Sequence, residues 1–154
     1  MQGHSGVSFS NSQIFGDIIV EESNYGMVRF TGCGLFGTIH GENGVGIAKI
    51  AGRGRVSFDH CHFYAIYRNF EADTLVRAES GRVSISNSLF INYWDAPYNE
   101  TPIILDSDVR TAFVTENEFY GSGAIVNNAR GQTVLRDNLA ETETNPFPDE
   151  DENE

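Results

Sequence analysis

Lysine is almost missing from this chain: Lys49 stands alone among 154 residues, and the remaining basic residues are all arginines. Chemistry that depends on a lysine base therefore has no convincing candidate. Basic residues are scarce altogether, ten against twenty-two acids, and the resulting net charge of −12 argues against nucleic acid as a partner. Long apolar runs are also lacking, so neither a secretory hydrophobic region nor a membrane-spanning helix can be placed. The glycine-rich run Gly41-Glu42-Asn43-Gly44-Val45-Gly46 has no Lys-Ser/Thr after it and opens no expected helix. That excludes a phosphate loop and leaves a tight surface loop.

What the chain does have is a repeat. The segment Val83-Ser84-Ile85-Ser86-Asn87-Ser88-Leu89-Phe90 has counterparts starting at Val7, Val28 and Val56, and looser ones starting at Ala112 and Thr133. These origins recur every 21 to 29 residues, a variable period that signals a solenoid. In the copies starting at Val7, Val28, Val56 and Val83 the origin and the position two later are apolar with a polar residue between, which is strand periodicity. A second apolar strand precedes most copies: Ile18-Ile19-Val20, Ile47-Ala48, Leu75-Val76, Ile103-Ile104-Leu105 and Ile125-Val126.

Five residues past the origin runs a column of small or amide residues: Ser12, Cys33, Cys61, Ser88, Asn117 and Asn138. Such a column fits a bend at which like side chains stack and hydrogen-bond their neighbours. Gly6, Gly26, Gly54, Gly81 and Gly131 lie one or two residues before the origins, where a turn is expected to need positive φ. Together these features predict an all-β parallel solenoid of about five to six coils over residues 6–140, with strands of successive coils paired at roughly 4.8 Å. An antiparallel sandwich of short strands is the rival, and it gives no reason for like residues at like offsets.

Cys33 and Cys61 share one offset in adjacent coils, so the repeat predicts stacked, buried thiols. A disulfide between them is the alternative, since neighbouring coils bring Cα atoms to roughly 5 Å. His60 and His62 flank Cys61 and invite a metal reading. Strand alternation would point both histidines to one face and the thiol to the other, so no metal and no cofactor are expected. Counting back from the origins, Glu22, Arg77, Asp106 and Asn127 fall at one offset, and Asn24, Glu79, Asp108 and Ala129 at another. Glu79 and Asp108 would then stack one coil apart, near enough for like-charge repulsion to raise one pKa, and paired carboxylates roughly 5 Å apart suit retaining glycoside hydrolysis. Arg77 beside Asp106 would position acidic sugar, or form a surface ion pair. Ladders of charge on a solenoid surface are the plainer account of both columns.

The Val-x-Phe-x-Asn-Ser/Cys-x-Phe pattern resembles the right-handed parallel β-helix of the pectate-lyase-like superfamily, and residues 102–128 resemble its last coils. The resemblance implies the right hand. It does not imply one activity, because this fold carries lyases, hydrolases, epimerases, tailspikes and adhesins. The polygalacturonase signatures Asn-Thr-Asp, Asp-Asp, Gly-His-Gly and Arg-Ile-Lys are not found, and no pectate-lyase calcium cluster is evident. The insertion Asn92–Glu100 holds the only tryptophan. Tyr93, Trp94 and Tyr98 there would stack on sugar, or fold back over the coil.

Residues 1–5 read as a leader. Residues 141–154, with seven carboxylates and no basic residue, read as a disordered acidic tail. Nothing in the sequence covers the first coil, which suggests a piece of a larger, exported or cell-surface protein or a homo-oligomer through uncovered coil ends. The expected partner is thus a polysaccharide or oligosaccharide, with Glu79 and Asp108 as candidate catalytic residues and Arg77, Asp106, Tyr93, Trp94 and Tyr98 as candidate ligands. A structural solenoid of an appendage, adhesin or tailspike-like assembly is the alternative. Neither membrane nor nucleic acid is expected.

Overall fold

A computed structural model describes residues 6–37, 44–65, 72–92, 101–120 and 125–141. The described chain is nearly all β, and its named strands pair in parallel. They form three ladders. The first joins β3 (Ile18–Val20), β6 (Val45–Ile50), the leading halves of β9 (Thr74–Ser86) and β11 (Ile103–Thr115), and β13 (Ile125–Asn127). The second joins β1 (Val7–Ser10), β4 (Met27–Thr31), β7 (Arg55–Asp59), the trailing halves of β9 and β11, and β14 (Gln132–Arg136). The third joins β2 (Gln13–Phe15), β5 (Gly34–Gly37), β8 (His62–Ala65), β10 (Leu89–Asn92), β12 (Glu118–Tyr120) and β15 (Leu139–Glu141). The chain visits first, second and third ladder in strict rotation, and each circuit adds one rung. An antiparallel sandwich is ruled out by these pairings; among the described residues antiparallel geometry is confined to an isolated bridge between Gly16 and Gly37.

The sequence origins are register partners. Val7 pairs Val28, Val28 pairs Val56, Val56 pairs Val83, Val83 pairs Ala112, and Ala112 pairs Thr133. Period-two alternation sends these residues and those two further on inward, where they stack into columns. Phe9, Phe30 and Phe58 form one column, with ring centroids 5.0 and 4.9 Å apart. Phe63, Phe90 and Phe119 form another at 4.3 and 4.8 Å, and Phe58 meets Phe63 edge-on at 5.3 Å across the interior. Parallel pairing brings like residues to like depth, so the rings stack offset along the axis and the core is continuous.

The bend between second and third ladders explains the column of small and amide residues. The residue before it in each rung, Asn11, Gly32, His60, Asn87, Glu116 and Asp137, has φ between 49° and 63°. A left-handed residue costs roughly 1–2 kcal/mol unless it is glycine, with Asn and Asp the best tolerated, and four of the six are Asn, Asp or Gly. The column residue then faces inward. Asn117 is buried, accepts from Ser88 N–H at 3.0 Å and donates to the Ile85 carbonyl at 2.9 Å and to Asn138 Oδ1 at 3.0 Å. Cys61 N–H in turn donates to Ser88 Oγ at 3.1 Å.

Positive φ was expected at the glycines before the origins, and among them only Gly81 has it, at 82°. Gly54 and Gly131 serve close approach instead. A Cβ on Gly54 would strike the Gly26 carbonyl, and one on Gly131 the Arg110 carbonyl. The bend that does need left-handed backbone is four residues past the origin, where a polar side chain stands in for glycine in five rungs.

Both cysteines are free and buried, stacked at the column position, with Cys33 Sγ 3.5 Å from the Thr31 carbonyl and Cys61 Sγ 3.5 Å from that of Asp59. Burial pushes the Cys61 thiol up to about 11. Because the folded thiol holds its proton longer than the unfolded one, the associated stability is full below about pH 9 and is lost as pH rises toward 11. Over that window wild type should lose about 3 kcal/mol more than Cys61→Ala, read from urea midpoints across the pH series. Parallel pH slopes for the two proteins would refute the assignment.

Candidate binding groove

The two charged columns do not align as their offsets suggest. Register runs Ile104 with Arg77 and Leu105 with Ala78, then breaks, and resumes with Asp108 opposite Ser80. Two residues of β11, Asp106 and Ser107, thus bulge opposite the single residue Glu79. A further irregularity at Arg110, between the Val109–Gly81 and Thr111–Arg82 pairs, has already moved Asp108 from Glu79 to Ser80, so Glu79 and Asp108 are not register partners. Lys49 Nζ sits 3.2 Å from Glu79 Oε1, and Arg130 Nη2 sits 2.6 Å from Asp108 Oδ1, so each carboxylate has its own cation. The expected pair of Arg77 and Asp106 does form, as a fork with Nε–Oδ2 2.7 Å and Nη2–Oδ1 3.1 Å. Hydrogen bonding to Asp106 raises the Arg77 pKa against the opposing effect of burial. This is an ion pair on the outer face of the first ladder, where Lys49 and Arg77 lie in register.

A polar groove of about 460 Å³ opens elsewhere, along the corner between first and second ladders. It crosses four consecutive rungs, which contribute Glu22 and Tyr25, Gly52 and Arg53, Ser80 and Gly81, then Asp108 and Arg110. The tight glycines make it: with no side chain at Gly52 and Gly81 the backbone itself is the floor. Asn24 ties the first wall by bonding Gly26 N–H and the Gly26 carbonyl, both at 3.2 Å, and Ser80 Oγ accepts from Gly52 N–H at 2.8 Å. On the rim Tyr25 is 58% exposed, with the Arg53 guanidinium carbon 5.8 Å from its ring centre. Neither Arg53 nor Arg110 has a carboxylate partner among the described residues. The groove therefore offers an aromatic ring, two unpaired guanidinium groups, two carboxylates and a hydroxyl, all facing one channel.

Of the residues expected at a site, only Asp108 lines this groove. Arg77, Glu79 and Asp106 belong to the neighbouring face, and Tyr93, Trp94 and Tyr98 lie outside the described residues. Tyr25, Arg53 and Ser80 went unnoticed although a signal was present: each immediately precedes one of the turn glycines, Gly26, Gly54 and Gly81. Arg130 precedes Gly131 in the same way.

His60 is not in a strand, so alternation does not place it. It holds the left-handed bend at φ 52°, with Nδ1 3.1 Å from Asp59 Oδ2. Desolvation would raise the Asp59 pKa, but hydrogen bonds from Asn87, His60 and Ser86 outweigh it and the net effect is downward. His62 instead lies 2.8 Å from the Tyr64 hydroxyl on β8. Neither cluster touches the groove. No family model, no curated protein and no solved structure matches this chain.

Proposed function

We propose that the chain is a right-handed parallel β-helix, akin to the pectate-lyase-like superfamily, that binds polysaccharide in the groove between its first and second ladders. Three ladders visited in rotation support a β-helix, and the strong preference for right-handed crossovers between parallel strands supports its hand. The observation that carries the functional reading is the groove's lining. An exposed tyrosine offers a ring face with a polar tip, while Arg53, Arg110, Asp108, Glu22 and Ser80 offer donors and acceptors in one channel. A saccharide, with apolar C–H faces and hydroxyl edges, is complementary to that mixture. The channel runs across rungs, so it suits an extended chain better than a compact ligand.

Binding is favoured over hydrolysis. A retaining pair needs two free carboxyl groups facing one bond, whereas Glu79 and Asp108 are out of register and separately ion-paired. The test is a panel of soluble polysaccharides examined by titration calorimetry, with Tyr25→Ala alongside wild type. Tyr25→Ala should weaken the best ligand about tenfold, near 1.4 kcal/mol. An unchanged affinity, or a panel with no binder, would remove the groove from the account. Turnover lost in a Glu79→Gln/Asp108→Asn double variant would restore the hydrolytic reading. The alternative of a structural, self-associating solenoid is favoured by a different feature, the open first rung.

A further inference from the structure

The first described rung exposes apolar side chains and unpaired strand edges. Between Gly6 and Gly16 there is no charged residue, so no side-chain charge there opposes a neighbouring backbone. Val7, Phe9 and Phe15 are exposed there at 51%, 41% and 69%. Among the described residues each phenylalanine stacks on one side, Phe9 on Phe30 at 5.0 Å and Phe15 on Phe36 at 4.4 Å. β1 and β2 have no strand partner on their far side among the described residues. Exposed edge strands are ordinarily blunted by charge or proline, and these two carry neither.

The bend between second and third ladders says what would fit. Three hydrogen bonds recur as one rung follows another. The left-handed residue donates its N–H to the next rung, as Asn11 does to Thr31 at 3.0 Å and Glu116 to Arg136 at 3.3 Å. The first residue of the third-ladder strand donates back, as Gly34 does to Ser12 at 2.9 Å and Leu139 to Asn117 at 2.8 Å. The column residue donates its N–H to the column side chain of the following rung, as Ser88 does to Asn117 Oδ1 at 3.0 Å and Asn117 to Asn138 Oδ1 at 3.2 Å. Ser12 already holds the posture of such an acceptor: its Oγ donates to the Ser10 carbonyl at 2.9 Å, as Ser88 Oγ donates to Ser86 at 2.8 Å. Its lone pairs remain for an N–H from a preceding rung.

We infer that this end docks a second copy of the chain, head to tail, with the last rung of one molecule on the first rung of the next. The last rung brings the matching half. Asp137 is left-handed at φ 56°, so its N–H would donate to the Ser10 carbonyl of the next copy. Asn138 N–H would reach Ser12 Oγ of the next copy, and Gln13 N–H of that copy would return to the Asn138 carbonyl. The inward columns would continue, Leu135 on Phe9 and Ala140 on Ile14, with the Thr133 methyl on Val7. Among the described residues the first rung contributes β1 and β2, so the second and third ladders make the contact. The same patch is not offered twice, so association is heterologous and leads to open rods rather than closed dimers.

The experiment uses two variants at exposed positions, one blocking each end, checked for wild-type circular dichroism. Val7→Glu blocks the first rung and Ala140→Glu the last. Sedimentation velocity of wild type over a concentration series should show a ladder of growing species, and electron microscopy should show rods one chain thick. Each variant alone should stay monomeric, and an equimolar mixture should give one-to-one pairs and nothing larger. Pairs formed by Ala140→Glu alone would mean that two first rungs meet, which overturns the head-to-tail assignment. A wild-type protein that stays monomeric overturns the inference whatever the variants do. Neither outcome bears on polysaccharide binding, which the Tyr25→Ala titration reads separately.

Discussion

Phe58→Ala is expected to destabilise the fold by about 4 kcal/mol, measured as a shift in the urea midpoint at unchanged slope. Phe58 is fully buried, stacks on Phe30 and meets Phe63 edge-on, so it ties two aromatic columns from different ladders together. Truncation removes the buried ring area and leaves a cavity that ladders fixed by backbone pairing cannot close, since β7 is held by strands on both sides. For a domain whose total stability is of order 5–15 kcal/mol, that loss approaches unfolding at ordinary temperature. Phe58→Leu should cost roughly 1–1.5 kcal/mol because it keeps most of the volume. A loss under about 1 kcal/mol for the alanine variant would show that the columns are not where the core's stability resides.

Asn117→Leu should cost about 3 kcal/mol or more, although leucine is of similar size and more apolar. The carboxamide is the only partner shown for the Ser88 N–H, and it caps the Ile85 carbonyl as well. Each buried group left unpaired costs about 1–3 kcal/mol. Asn138→Leu provides the internal comparison: Asn138 makes the same kind of bonds, to Asn117 and the Val114 carbonyl, but stands in the last rung with more solvent around it. Its loss should be under half as large, since water can replace the missing partner. Equal losses at the two sites would mean that burial does not set the price of this column.

Repetition made the architecture legible in the sequence. The origins at Val7, Val28, Val56, Val83, Ala112 and Thr133 proved to be register partners because parallel strands bring like offsets to like depth, and a column such as Ser88, Asn117 and Asn138 is that fact written in residue types. The candidate site was legible only in part. Counting back from an origin assumes that every rung spends the same number of residues, but the register slips first at Arg110, between the Val109–Gly81 and Thr111–Arg82 pairs, and again at Asp106 and Ser107. Arg77 still reached Asp106 because a long guanidinium side chain spans the offset, whereas Glu79 and Asp108 were separated and each took a nearer cation. Tyr25 and Arg53 drew no attention for another reason. They occupy a corner with no periodic hydrophobic signal, and only their shared place before a glycine marks them.

The pairing of each rung with the rung one circuit away has a consequence for how such a chain can change over generations. Each second-ladder pairing joins residues 21 to 29 positions apart, whichever rung is considered. A duplication or deletion that adds or removes one full circuit leaves every remaining pairing with a neighbour of the right kind, and the average sequence distance between contacting residues hardly grows with length. A frame-preserving loss of one residue inside a strand, by contrast, turns that strand's inward column outward. Length in this architecture is therefore free to vary by whole circuits, and single-residue changes are guarded against inside the paired strands.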